Sequence, residues 1–268
     1  MGLERNLQQA KRIVVKVGTS SLTHANGLFN LQAIDQLSYT LSGLVNEGKE
    51  IVLVSSGAIG VGMGQLRLTQ RPQSIPEQQA LAAIGQSQLM AVYQQRFSLY
   101  GQKISQVLLT HDVLDYPHSR ANVLNTFDTL LSWGVIPIVN ENDTVAVAEL
   151  DHITKFGDND QLSAIVATAI NADLLVMLSD IAGFYNKNPQ KYSDAQLITE
   201  INEINEQTYQ AAEGSGTNLG TGGMTTKLKA AEMMLAANKK MILADGSNPS
   251  IIFKILNNAA IGTLFAKK

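Results

Sequence analysis

The chain has 268 residues, 45% of them hydrophobic, enough for one large core in a single α/β domain. Twenty Lys and Arg against 23 Asp and Glu give a net charge of −3 with no basic block, which sets nucleic acid aside as the main partner. There is no cysteine for a disulfide or thiolate zinc site, and His24, His111, His118 and His152 lack metal-ligand spacing. Nothing reads as a secretory signal or a membrane span, so a soluble, cytoplasmic protein is expected.

In chain order, short apolar runs rich in β-branched residues predict buried strands at Ile13 to Val17, Ile51 to Val54, Ile104 to Leu109, Val135 to Val139, Leu174 to Leu178 and Met241 to Ala244. Helical spacing separates them. It is carried by Leu31, Ile34, Leu37, Leu41 and Leu44, then by Val123, Phe127, Leu130 and Leu131, then by Leu162, Ile165, Val166, Ala169 and Ile170. Such alternation requires crossover connections, hence a mainly parallel sheet with helices on both faces. Thr144 to Phe156 alternates without a helical period and predicts a projecting hairpin, while Pro72 to Pro76 and Asn186 to Pro189 read as loops.

Ligands in open α/β sheets bind beyond the carboxyl ends of the strands. Those ends here carry Lys16 with Gly18-Thr19-Ser20, then Ser55-Ser56-Gly57, Asn140-Glu141-Asn142-Asp143 and Ser179-Asp180. Strand-to-helix loops are polar in any soluble protein, so it is their joint density that points to a site.

Near the C-terminus, GTGGMTTK (Gly220 to Lys227) has the ingredients of a phosphate loop without the order G-x-x-x-x-G-K-[ST]. Its glycines precede a helical pattern at Leu228, Ala231 and Leu235, so they feed a helix N-terminus suited to an anion, with Lys227 about one turn in. A capped helix beside a solvated lysine is the ordinary alternative. Lys16 tips the balance, because an ammonium inside the apolar strand VVKVG must leave the sheet or meet an anion.

FGDNDQLSA supplies acids and an amide. Asp158 or Asn159 is suited to cap the helix that follows, which leaves Asp160 as a candidate for holding lysine ammonium groups, and Asp143 with Asn159 as candidates for a substrate ammonium. SGAIGVGMG is not G-x-G-x-x-G and gives no support for a dinucleotide; it reads as close backbone approach to a small substrate or as tight helix packing.

Taken together, VVKVGTSSL, VSSGAIGVG, AAIGQSQLM, PIVNENDTVA, FGDNDQLSA, LSDIAGFY and GTGGMTTKLKAA resemble the amino-acid kinase family nearly end to end. NEND followed by GDND, with SSGAIG, is similar to the branch that phosphorylates the side-chain carboxylate of L-glutamate at the start of proline biosynthesis. The resemblance implies a three-layer αβα sandwich over residues 1–268, with the glutamate site in the N-terminal half and the ATP site in the C-terminal half. It implies that Lys16 and Lys227 grip the transferring phosphoryl group, that Asp160 orients them, and that Ser56, Asp143 and Asn159 contact glutamate. Lys16, Ser179, Asp180 and the loop Thr221, Gly222, Gly223, Met224, Thr225, Thr226 and Lys227 would contact ATP, with Mg²⁺ arriving on the nucleotide and no separate protein metal site. It further implies feedback inhibition by proline, homo-oligomeric assembly and a link to glutamyl-phosphate reductase. Ser179, Thr225 and Asn188 depart from the residues usual in the family, and the end at Lys268 leaves no room for the PUA domain of many relatives. Kinases of the same fold with other acceptors, and a non-catalytic sensor, are the alternatives.

Overall fold

The computed structural model describes residues 5–24, 27–110, 113, 115–145, 159–213 and 223–268. Its elements run β1 (Arg12–Val17), α1 (Thr19–Leu22), α2 (Leu31–Asn46), β2 (Glu50–Val54), α3 (Ala58–Gln65), α4 (Ile75–Leu99), β3 (Ile104–Leu109), α5 (Pro117–Ser132), β4 (Ile136–Glu141), α6 (Asn159–Ala169) and β5 (Leu174–Ser179). The rest is β6 (Phe184–Tyr185), β7 (Leu197–Ile198), β8 (Glu200–Ile201), α7 (Glu206–Glu213), α8 (Met224–Ala236), β9 (Lys240–Asp245), α9 (Ile251–Leu256) and β10 (Thr263–Phe265).

Eight strands form one sheet in the order β3-β4-β2-β1-β5-β9-β10-β8, parallel throughout except where β10 runs against β9. The parallel sheet with helices on both faces is the architecture the sequence predicts, and all six predicted strands are present. Their alternation divides the core. Ile13, Val15 and Val17 of β1 pack with Leu37, Leu41, Leu89 and Phe97 on one face. Val14 packs with Phe127, Leu162, Val166 and Leu228 on the other. Successive strand side chains point to opposite faces, so Lys16 shares the face of Val14, the side of α6 and α8. That one parity step brings a cation from the central strand to the N-termini of two helices.

Several elements were not read from the sequence. The longest described helix, α4, buries Leu81, Gly85, Leu89, Tyr93 and Phe97, a spacing of four. It begins at Ile75, so Pro76 sits in its first turn, where the missing N–H costs nothing, rather than in a loop. The short strands β6, β7, β8 and β10 are too brief for a periodic signal. Of the projecting hairpin expected over Thr144 to Phe156, only Thr144 and Val145 fall within the described residues. Among the described residues no helix is long and apolar enough to cross a membrane.

Candidate functional site

At the carboxyl end of β1, Lys16 lies beside Val54 of β2 and Met177 of β5 and is almost fully buried. Its partner comes from α6. Lys16 Nζ lies 2.5 Å from Asp160 Oδ1, and Lys227 Nζ of α8 lies 3.1 Å from Asp160 Oδ2. One fully buried carboxylate therefore divides its two oxygens between two buried ammonium groups. The Thr226 hydroxyl is also within hydrogen-bonding distance of Oδ2, at 2.9 Å. Burial would raise the Asp160 carboxyl, but Lys16 and Lys227 outweigh it and hold that group down to about 2.

The helices explain the polarity. Asp160 is the second residue of α6, where a helix dipole favours a negative charge. Lys227 is in the first turn of α8, the end that disfavours a cation, so its position makes sense only beside anions. The N-terminus of α8 carries Gly223 in an extended conformation with no side-chain cap, leaving early backbone N–H groups of the helix to other acceptors. Met224 is buried beneath this turn and Thr225 is exposed. Gly220, Thr221 and Gly222 of the phosphate-type loop lie outside the described residues, as does Asp158.

A second cluster adjoins the first through Asn159. The sequence suits Asn159 to a cap or to a substrate contact, and its side chain is not spent on its own helix. Asn159 Nδ2 reaches Ser55 O at 2.7 Å, Ser56 Oγ at 2.8 Å and Asn140 Oδ1 at 3.0 Å. Ser55 and Ser56 are presented by the sharp turn from β2 into α3. There Gly57 adopts φ 94°, a left-handed conformation that other residues rarely tolerate. Behind the turn, the Ser55 hydroxyl is 2.9 Å from the buried Tyr93 hydroxyl of α4, and burial pushes the Tyr93 phenol well above its usual range.

The glycine string resolves towards packing. A Cβ on Gly62 would lie 2.1 Å from Leu81 O, and one on Gly85 would lie 1.7 Å from Ala58 O. Helices α3 and α4 touch backbone to backbone, which clamps the serine turn; of these glycines, Gly57 serves the site most directly.

Asp143 stands after β4 on the wall of a cavity of about 400 Å³, together with Gln86, Ser87, Gln106, Asn142 and Thr144. Ser179 ends β5, next to β1 in the sheet, and Asp180 follows it. The Ser179 hydroxyl donates to Asp180 Oδ1 at 3.0 Å, and its carbonyl accepts from Gly246 N at 2.7 Å. The structure thus gathers Lys16, Asp160, Thr226 and Lys227 in one cluster and Ser56 with Asn159 in an adjoining one. Asp143 follows β4, and Ser179 and Asp180 lie at the end of β5, both at the carboxyl side of the sheet with β2 and β1 between them. Tyr93 and Gln86 were not singled out from the sequence, and Ser55 and Asn140 stand there only among the polar strand ends, with no role of their own. For Gln86 the signal existed: it is a polar residue three positions before Leu89 on the buried face of α4.

The amino acid kinase family matches residues 11–245 of this chain. The chain is 69% identical over 264 residues to glutamate 5-kinase of Ligilactobacillus salivarius, covering 98% of this chain and 99% of that one. It is 64% identical over 265 residues to glutamate 5-kinase of Enterococcus faecalis, covering 99% and 98%. Among solved structures it is similar to carbamate kinase from Giardia lamblia bound to AMP-PNP, with a TM-score of 0.69 and 16% identity over 97% of this chain and 100% of that one. At that identity the likeness bears on the fold alone.

Proposed function

This chain belongs to the amino acid kinase family, and from that premise we infer that it transfers the γ-phosphoryl group of ATP to the side-chain carboxylate of L-glutamate. The products are L-glutamyl 5-phosphate and ADP, and the step opens proline biosynthesis. The observation that carries the mechanism is the meeting of Lys16 and Lys227 on Asp160 at the uncapped N-terminus of α8.

A carboxylate is already ionised near neutral pH, so the nucleophile needs no general base. The demand on the protein is to hold two anions in line and to neutralise charge on the phosphoryl oxygens. In this reading Lys16 and Lys227 supply that charge, backbone N–H groups of the loop Thr221 to Lys227 support it, and Asp160 keeps both ammonium groups aimed. Ser179 and Asp180 contact the nucleotide, while Ser56, Asp143 and Asn159 hold glutamate. The N-terminal half thereby serves the amino acid and the C-terminal half the nucleotide.

Mg²⁺ enters with ATP in this scheme. Among the described residues no group of three or more His, Asp or Glu side chains is arranged to hold a cation alone. The fit is therefore to an ion carried mainly by phosphate oxygens, where it adds charge stabilisation. The same reading extends to proline as a feedback inhibitor, to homo-oligomeric assembly, to a cytoplasmic setting and to a reductase that consumes the labile acyl phosphate.

A coupled assay of ADP release with glutamate, aspartate, acetylglutamate, carbamate and a nucleoside monophosphate tests the proposal. Turnover with glutamate far above the others is expected. Preference for another acceptor, or nucleotide binding without turnover on any of them, would overturn it.

A further inference from the structure

Beyond the residues already assigned, the amino-acid side of the site contains a chain of amides whose polarity is forced by the backbone. The Glu141 N–H can only donate, and it lies 3.0 Å from Asn140 Oδ1. Asn140 Nδ2 must then be the opposite end, and it donates to Gln86 Oε1 at 2.9 Å. Gln86 therefore turns its Nε2 away from Asn140. On the other side, the atom of Asn159 lying 2.7 Å from the Ser55 carbonyl has to be Nδ2, so Asn159 Oδ1 is also turned away. Each orientation follows from a neighbour that cannot reverse its role.

Two groups emerge from this chain without a hydrogen-bond partner among the described residues. They are Gln86 Nε2, a donor, and Asn159 Oδ1, an acceptor. Gln86 is only 8% exposed and lines the cavity that also contains Asp143. A buried donor with no acceptor is rare in folded proteins; Nε2 has almost no surface open to solvent, so a substrate in the adjoining cavity meets it through a small shift of the wall. A free amino acid carries the complementary pair on one carbon, an ammonium that donates and a carboxylate that accepts.

We infer that Gln86 is a specificity-determining residue for the amino-acid substrate, its Nε2–H donating to the α-carboxylate while Asn140 fixes which end of the amide is left for it. The inference rests on the amino-acid acceptor proposed above. It assigns the α-carboxylate to an uncharged donor. A buried lysine or arginine there would stand close to Asp143, on the wall proposed to take the ammonium.

The test compares glutamate with its α-carboxamide analogue in steady-state assays at saturating ATP. Gln86→Met is expected to raise the KM for glutamate roughly 10- to 100-fold, as for loss of a hydrogen bond to a charged group. It should shrink the preference for glutamate over the α-amide by a similar factor, with the KM for ATP unchanged. Asn140→Asp keeps an acceptor for Glu141 N–H but loses the donor to Gln86. The new carboxylate draws Nε2 back, so the same glutamate-selective defect is expected without a change in any cavity side chain. If Gln86→Met fails to hold its fold, Gln86→Glu keeps the shape and sets carboxylate against carboxylate, which must weaken glutamate binding. Wild-type KM for glutamate in folded Gln86→Met, or an equal loss for glutamate and the α-amide, would overturn the inference alone. Absence of glutamate phosphorylation by the unaltered protein would instead bring down the acceptor assignment, and this inference with it.

Discussion

Lys227 Nζ lies 3.1 Å from Asp160 Oδ2 across 67 positions of chain, and the nitrogen, the carboxylate and Lys16 are all buried. Long polar side chains are rarely held out of water unless paired, so this arrangement ties fold and chemistry together. Parallel pairing of β1 with β2 and β5 sets Lys16 at the carboxyl end of the central strand, and the close packing of α6 and α8 over that end brings the other two members to it.

Removal of either lysine is expected to act on the chemical step. Lys16→Ala and Lys227→Ala should lower kcat roughly 10² to 10³, as for one donor to a developing negative charge. Steady-state kinetics on folded variants would check this, and near-normal turnover of Lys227→Ala would remove it from the mechanism.

Asp160 makes stability depend on acid. An unfolded aspartate titrates at about 3.9, whereas burial and the two lysines together hold Asp160 down to about 2 in the folded chain. The folded state thus favours the ionised carboxylate. Its stabilisation is complete above the unfolded value and is lost as pH falls from about 4 towards about 2. Urea unfolding midpoints across that window should fall less steeply for Asp160→Asn than for the unaltered chain. Near neutral pH the variant should be less stable by roughly 3–5 kcal/mol, because two buried ammonium groups lose their carboxylate. Identical slopes for the two proteins would contradict the pairing.

Substrate-side residues should separate the two KM values. Asp143→Ala and Asn159→Ala are expected to raise the KM for glutamate more than that for ATP. An equal rise in both would count against their assignment to the amino acid.

Helix contact behind the serine turn gives a prediction about stability. Gly62→Ala and Gly85→Ala force a Cβ within 2.1 Å of Leu81 O and 1.7 Å of Ala58 O, so α3 and α4 must separate. Overpacking of this kind costs roughly 1–3 kcal/mol or more. Thermal melting should show both variants well below the unaltered chain, and glutamate KM should rise as the turn at Gly57 shifts. An unchanged melting temperature would mean that the two helices do not meet so closely.

Much of this is legible in the amino-acid sequence, and the reasons differ by element. The six strands stood out because β-branched runs bounded by polar loops have few alternatives. Lys16 was conspicuous because a cation in an apolar strand poses a problem that only an anion or an exit solves. Asn159 was harder, since a polar residue at a helix start usually caps it; only the tertiary fold shows its amide reaching Ser55, Ser56 and Asn140. The glycine string divided between two meanings, because the requirement for a missing Cβ depends on what approaches from another helix. Asn140 is visible only as one of several polar strand-end residues, and the roles of Asn140 and Gln86 are not legible because amide orientation is set by tertiary hydrogen bonds.

The central claim is that two lysines distant in sequence share one phosphoryl group. A crystal structure with a non-hydrolysable ATP analogue, Mg²⁺ and glutamate tests it most directly. The account predicts γ-phosphate oxygens roughly 3 Å from both Lys16 Nζ and Lys227 Nζ, the distance of a charge-assisted hydrogen bond, with the glutamate side-chain carboxylate in line behind the phosphorus. A γ-phosphate held by neither nitrogen, with the glutamate carboxylate on the far side of Asp160, would contradict it.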